Sequence, residues 1–216
     1  MPFIDKIDLV DAYIGKPWKA EYQEVEYIQS TGTQYIDTWV VGTFSSSIKT
    51  DYKFVLTQTK SWWQQSIFWD VGSSWQWLTI YWDANSNNQW TWCGSWTGWY
   101  PWNITVWSTT IISAIFNKGS WRTFVINWTI YTSTVANNAD ATSKTNNFCI
   151  FCDDRSTTLW YFKVYYFKII KDWTLVRDFI PCYRKSDSVI WLYDIVNDTF
   201  YTNSWTWTFT KWPDVS

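Results

Sequence analysis

From Tyr22 onward, apolar and β-branched residues recur in short runs separated by clusters of Ser, Thr, Asn and Asp. The runs are Val25–Ile28, Gln34–Val41, Ile48–Thr57, Ser66–Val71, Leu78–Tyr81, Thr109–Phe116 and Thr123–Ile126. Thr129–Thr132, Phe148–Cys152, Tyr161–Ile170, Leu175–Ile180, Val189–Asp194 and Thr199–Thr202 complete the series. Each has the length and side-chain preference of a strand. No window of about 12 residues carries an apolar stripe at the helical period. Short strands at hairpin spacing, without crossover helices, predict an all-β fold: an antiparallel two-sheet sandwich. Residues 1–14 alternate only loosely (Ile4, Ile7, Leu9, Val10) and end in the breaker cluster Gly15-Lys16-Pro17, so residues 1–21 stand apart. They are expected to form a short strand and tether ahead of one domain over 22–216.

Composition narrows the function classes. Hydrophobic residues make up 47% of the 216, enough for a core and too many for disorder. The net charge is −2, so there is no basic field of the kind that holds nucleic acid. The chain has no His, which removes the commonest general base, His-based triads and mixed His zinc sites. No apolar stretch is long enough to span a bilayer as a helix, so no membrane insertion is expected. The start, Met1-Pro2-Phe3-Ile4-Asp5-Lys6, shows no signal-peptide pattern. That pattern is compatible with a cytosolic protein, a viral structural protein or a fragment of a longer exported chain.

The anomaly is tryptophan: 22 Trp stand against 7 Gly. They fall where turns need glycine. Asn127-Trp128 joins two strand runs where a tight hairpin favours Asn-Gly, and Asp172-Trp173 stands where Asp-Gly would. Pro101-Trp102-Asn103 occupies a Pro-Gly turn position. Gly119-Ser120-Trp121, Ser204-Trp205-Thr206-Trp207 and Lys211-Trp212-Pro213 are further small, polar settings. This placement suggests a gene in which UGA means Gly, read under a table in which it means Trp. Trp90 and Trp92 are the best candidates for genuine tryptophans. Trp128, Trp173, Trp205 and Trp212 are then expected to be exposed in turns. The competing reading is a Trp-rich, aromatic-binding protein.

With Gly at those positions, two segments resemble a known family. Glu24-Val25-Glu26-Tyr27-Ile28-Gln29-Ser30-Thr31-Gly32-Thr33-Gln34-Tyr35-Ile36-Asp37-Thr38 looks like its opening. Lys163–Ile170, Leu175–Lys185 and Leu192–Asn203 resemble its close. The family is the concanavalin A-like lectin/glucanase superfamily, related to laminin-G-like domains, in bacterial surface and phage-associated proteins. The likeness spans roughly 22–214, with 58–110 matching only in strand rhythm; Trp39, Trp173, Trp191, Trp205, Trp207 and Trp212 depart from it. It implies a jelly roll in surface, adhesin-like or tail-associated proteins, outside the cell or on a virion, and no defined ligand. Phe179-Ile180-Pro181 is expected to end a strand, because Pro cannot donate to the ladder. Asn197-Asp198 is expected to turn a hairpin, with Arg177, Asp178 and Arg184 fixing that corner.

Candidate chemistry is sparse. Glycosidases need two carboxylates across a cleft, yet Glu occurs only at 21, 24 and 26, so no catalytic residue is expected. Cys149-Ile150-Phe151-Cys152 has metal or redox spacing. On a continuous strand, however, the two thiols face opposite ways, and buried free thiols are expected. Cys149–Cys182 and Cys93–Cys152 bridges stay open as alternatives. Two oxygen-rich loops could bind a ligand or calcium, or serve simply as turns. One carries Asp83, Asn85, Asn87 and Asn88; the other has Asp153, Asp154 and Arg155. Tyr81, Tyr100 and Tyr131 are the aromatics for sugar stacking, unless they belong to the core. The expected function is a non-catalytic, lectin-like module binding a glycan or surface partner through edge loops. A structural module of an adhesin or phage tail is the alternative, and a glycosidase the third reading.

Overall fold

A computed structural model describes residues 21–41, 46–58, 64–70, 77–83, 88–94, 96–100, 104–117, 121–136, 147–152, 161–204 and 208–215. Only the backbone is described for the strand residues from 64 to 100 and for 121, 133–136 and 212. The strands are β1 (Tyr22–Gln29), β2 (Ile36–Val41), β3 (Ile48–Leu56), β4 (Gln64–Asp70), β5 (Trp77–Asp83), β6 (Asn88–Gly94), β7 (Trp96–Tyr100) and β8 (Thr109–Phe116). They continue as β9 (Trp121–Ile126), β10 (Thr129–Ala136), β11 (Asn147–Ile150), β12 (Phe162–Lys171), β13 (Thr174–Arg184), β14 (Ile190–Asp194), β15 (Thr199–Tyr201) and β16 (Thr210–Asp214).

The strands form two sheets in which every pairing is antiparallel. The larger has the order β10-β9-β8-β3-β12-β1-β13-β14-β15, with β16 pairing β1; the smaller is β2-β11-β4-β5-β6-β7. Alternation along the chain explains the layering. In β3, Ile48, Thr50, Tyr52 and Phe54 are buried while Lys49, Asp51 and Lys53 are half-buried. In β8, Thr110, Ile112, Ala114 and Phe116 point inward in the same way. The apolar ones among these meet Ile36, Val40, Phe148 and Ile150 of the smaller sheet in one core. A period of two with one wet face makes the sandwich. The fold is an all-β, antiparallel jelly roll.

Three expectations need correction. Pro181 does not end a strand: β13 runs through it to Arg184. Asp178 O accepts from Ile195 N and Arg184 N donates to Val189 O, so the even-numbered residues bond toward β14. The nitrogen of Pro181 therefore faces the other side. There the partner changes from β12, at Phe179↔Phe167, to β1, at Cys182↔Glu24, and no ladder bond is lost. Trp212 is not in a turn but in β16, opposite Tyr27. Trp121 likewise opens β9, opposite Ala136. The pattern also missed β6, β7 and β16, whose Trp, Asn and Gln content hides the alternation.

The turns follow expectation. Asn127-Trp128 and Asp172-Trp173 are the two-residue loops of the β9–β10 and β12–β13 hairpins. Asn197 and Asp198 lie in the turn between β14 and β15, with Asp198 at φ 52°. The Ser30-Thr31-Gly32-Thr33-Gln34 segment is a structural knot. Buried Gln34 accepts from Thr31 N at 2.8 Å and Ser30 Oγ at 3.0 Å, and donates to Thr208 O at 2.8 Å. Gly32 has φ 83°, and a Cβ there would lie 2.6 Å from the Tyr161 ring. Only glycine fits.

Candidate functional site

Two polar groupings on the larger sheet differ in kind. The first is the corner where β13 meets β14. Asp194 is fully buried, and its Oδ1 accepts from Asp178 N at 2.9 Å and Val196 N at 3.1 Å. Its Oδ2 accepts from Asn197 Nδ2 at 2.6 Å and lies 3.6 Å from Arg177 Nε. Arg177 also donates to Thr38 O at 2.9 Å, tying the corner to the smaller sheet. Asp178 pairs with Lys168 at 2.9 Å, and Arg184 with Asp187. The expected corner role of Arg177 and Asp178 holds, while Arg184 clamps its own turn. The sequence did not single out Asp194, the hub. A buried carboxylate saturated with donors is architecture, not a waiting site.

The second grouping lies on the outer face. In β1, Ile28 turns into the core and Tyr27 therefore faces out. In β12 a register shift between Val164 and Tyr166 adds a residue, and Tyr165 is that extra, half-buried residue. The two rings approach to 5.3 Å between centroids and are tilted by 57°. Lys163 Nζ lies 4.2 Å from the Tyr27 centroid and donates to its hydroxyl at 2.9 Å. Lys53 Nζ lies 4.4 Å over the Tyr165 ring. Burial, then the Glu26 carboxylate, raises the Tyr165 phenol above its ordinary range. Sequence reasoning missed this pair, because only the pairing of β1 with β12 brings the rings together.

Three of the candidates, Asp83, Asn88 and Tyr100, lie at one end of the smaller sheet. Asp83 closes β5 directly opposite Asn88, which opens β6. Tyr100 closes β7 opposite Gln89. The chain leaves β11 at this same end, since Ile150 pairs with Phe68 and β4 begins opposite Asp83. Asn85, Asn87, Asp153, Asp154 and Arg155 lie outside the described residues, as do the side chains of Asp83, Asn88, Tyr81 and Tyr100. Tyr131 packs half-buried against the core. Among the described residues no group of three His, Cys, Asp or Glu could hold a metal ion. Among them, too, no helix is long and apolar enough to cross a membrane.

The cysteine reading changes. Cys149 and Cys152 are bridged and both buried. The assumption of a continuous strand fails at Phe151, whose φ of 72° ends the alternation and turns Cys152 back. Cys149 is therefore not available to Cys182, nor Cys152 to Cys93. Cys182 is a buried free thiol, as expected. Burial and then Glu24 push it up to about 12, which makes it inert.

No family model and no curated protein matches the chain. Among solved structures, a heptameric SAP-like pentraxin from Limulus polyphemus is similar. It has 9% identity and a TM-score of 0.45, over 69% of this chain and 75% of that one. Domain 4 of an extracellular GH43 arabinanase from Geobacillus stearothermophilus, in complex with arabinotriose, is similar at 14% identity. Its TM-score is 0.43, over 64% of this chain and 65% of that one. Likeness of this degree assigns neither ligand nor activity here.

Proposed function

We propose that the chain is a non-catalytic, lectin-like jelly-roll module of the concanavalin A-like type that binds a glycan outside the cell or on a virion. The observation that carries this reading is the half-buried Tyr27–Tyr165 pair on the outer face of a rigid sheet. Two phenol rings of fixed tilt offer apolar faces to sugar C–H groups, and their hydroxyls offer hydrogen bonds. Strands hold such a site more rigidly than loops would. The end of the smaller sheet, where Asp83, Asn88 and Tyr100 meet, is a second contact region, and calcium there would be held by loop oxygens. The corner at Asp194 is consistent with a structural role and supplies no free carboxylate for acid–base work.

A glycan array, with and without chelator, tests the reading. Binding is expected, and Tyr27→Ala with Tyr165→Ala is expected to abolish most of it while the urea midpoint holds. Binding to no glycan would favour the alternative, a structural module of an adhesin or tail. Loss with chelator alone, with the tyrosine variant unaffected, would move the site to the loops. Measurable polysaccharide turnover would overturn the non-catalytic reading.

A further inference from the structure

We propose that the outer face selects a uronate-bearing polysaccharide, with Lys53 and Lys163 as its specificity-determining cations. This rests on the glycan-binding reading and adds the class of sugar. Lys49, Lys168, Lys211, Arg177 and Arg184 each lie within ion-pair distance of a carboxylate. Among the described residues Lys53 and Lys163 do not; each rests on a tyrosine ring, at 4.4 and 4.2 Å. Asp51, on the strand of Lys53, is taken by Lys49 at 2.9 Å. Glu26, exposed beside Tyr165, is the local anion that an acidic ligand must avoid. A cation–π contact at an exposed site and an exposed ion pair are each worth up to about 1 kcal/mol. Moving an ammonium from ring to incoming carboxylate is therefore cheap, and it frees the ring face for the sugar. Two cations flanking two rings thus read charge and stacking together.

The test titrates polygalacturonate, alginate and hyaluronate, beside their carboxyl-reduced forms, into the intact chain by calorimetry. Wild type is expected to bind at least one acidic form roughly fivefold more tightly than its reduced form, with the preference lost at high salt. Lys53→Gln with Lys163→Gln is expected to bind both forms alike, with an unchanged urea midpoint. Equal binding of both forms by wild type, or a preference that survives in the double variant, overturns the selectivity but not glycan binding. Binding to no acidic or neutral glycan sinks both readings.

A separate observation carries a second inference: Trp39, Trp107, Trp128 and Trp173 occupy glycine positions, and we infer that the natural gene encodes glycine there. Nine non-glycine residues have φ above zero among the described residues, and these four tryptophans are among them, at 56°, 67°, 72° and 65°. The contexts differ, but each asks for glycine. Trp128 and Trp173 are the second central residues of two-residue hairpins in which Asn127 and Asp172 also have positive φ, the type I′ pattern. Trp107 is the third residue of a turn closed by Ser108 N to Thr105 O at 3.1 Å, where positive φ marks type II. Trp39 sits where one residue of β11, Phe148, faces three of β2, Thr38 to Val40, a bulge.

Beside Trp128 and Trp173, the neighbouring turn residues make side-chain hydrogen bonds. Asn127 Oδ1 accepts from Ile111 N and Asp172 Oδ1 from Ser47 N, both at 2.9 Å. The four indoles are instead 65–76% exposed. Among the described residues Trp107 gains one contact, with Lys163 Nζ 5.4 Å from its ring centroid, but a ring that normally buries its area gains little at such exposure and strains the backbone. Reading the source gene tests this. UGA at these codons, with glycine in the matching peptides of natively made protein, is expected. UGG at 128 and 173 overturns it.

Discussion

The Asp194 corner and the Tyr27–Tyr165 face lie on the same sheet and handle charge in opposite ways. At the corner a buried carboxylate has a donor for every lone pair in reach: Asp178 N, Val196 N, Asn197 Nδ2 and Arg177. On the face two ammonium groups rest on rings, and among the described residues neither lies within ion-pair distance of a carboxylate. A satisfied buried charge specifies one packing, because removing any partner exposes the desolvation cost. An incompletely paired surface cation costs little to keep and remains ready for a ligand. The same residue types therefore mean architecture in one place and, in the proposed reading, recognition in the other.

Breaking that contrast gives ordered predictions. Asp194→Ala leaves Arg177 and two backbone N–H groups without their partner and should lower stability by about 3 kcal/mol in urea unfolding. Asn197→Ala removes one charge-assisted bond and should cost roughly 1 kcal/mol by the same measurement. Lys53→Gln with Lys163→Gln should change stability by less than about 0.5 kcal/mol, since neither cation is part of a buried pair. A large loss there would recast the face as structure.

The smallest effect sits at Asp187. Arg184 hydrogen-bonds its carboxylate and holds it below the usual carboxylate range. A folded pKa below the unfolded one contributes stability above the unfolded value, and that stability fades as pH falls through the folded value. Asp187→Asn should therefore differ slightly from wild type at neutral pH and converge with it in acid, read as thermal midpoint against pH. A gap that widens toward acid would reverse the assignment.

How far the sequence could be read varied by region. In β3, β8 and β12 the alternation of Phe, Ile and Tyr with Lys and Thr gave element and face together. In β6, β7 and β16 it failed, because Trp, Gln and Asn carry no clean inside–outside signal. Pro181 and Cys152 misled for the same reason. Each was judged from its own run, whereas the change of partner strand at Pro181 and the positive φ of Phe151 decided the outcome. The candidate site was legible only in part. Asp83, Asn88 and Tyr100 were identified, and their backbone lies at one end of the smaller sheet, while Tyr27 and Tyr165 are 138 positions apart in the numbering and carry no motif.

By itself the sequence determined the all-β class, the turns at 127–128 and 172–173 and the glycine-like behaviour of their tryptophans, since alternation and turn stereochemistry are local. Only the tertiary structure decided that Asp194 is the hub of a corner, that Cys149 bridges Cys152, and that Tyr165 meets Tyr27. Those depend on which strands become neighbours, and that choice is made by burying one shared core between two sheets.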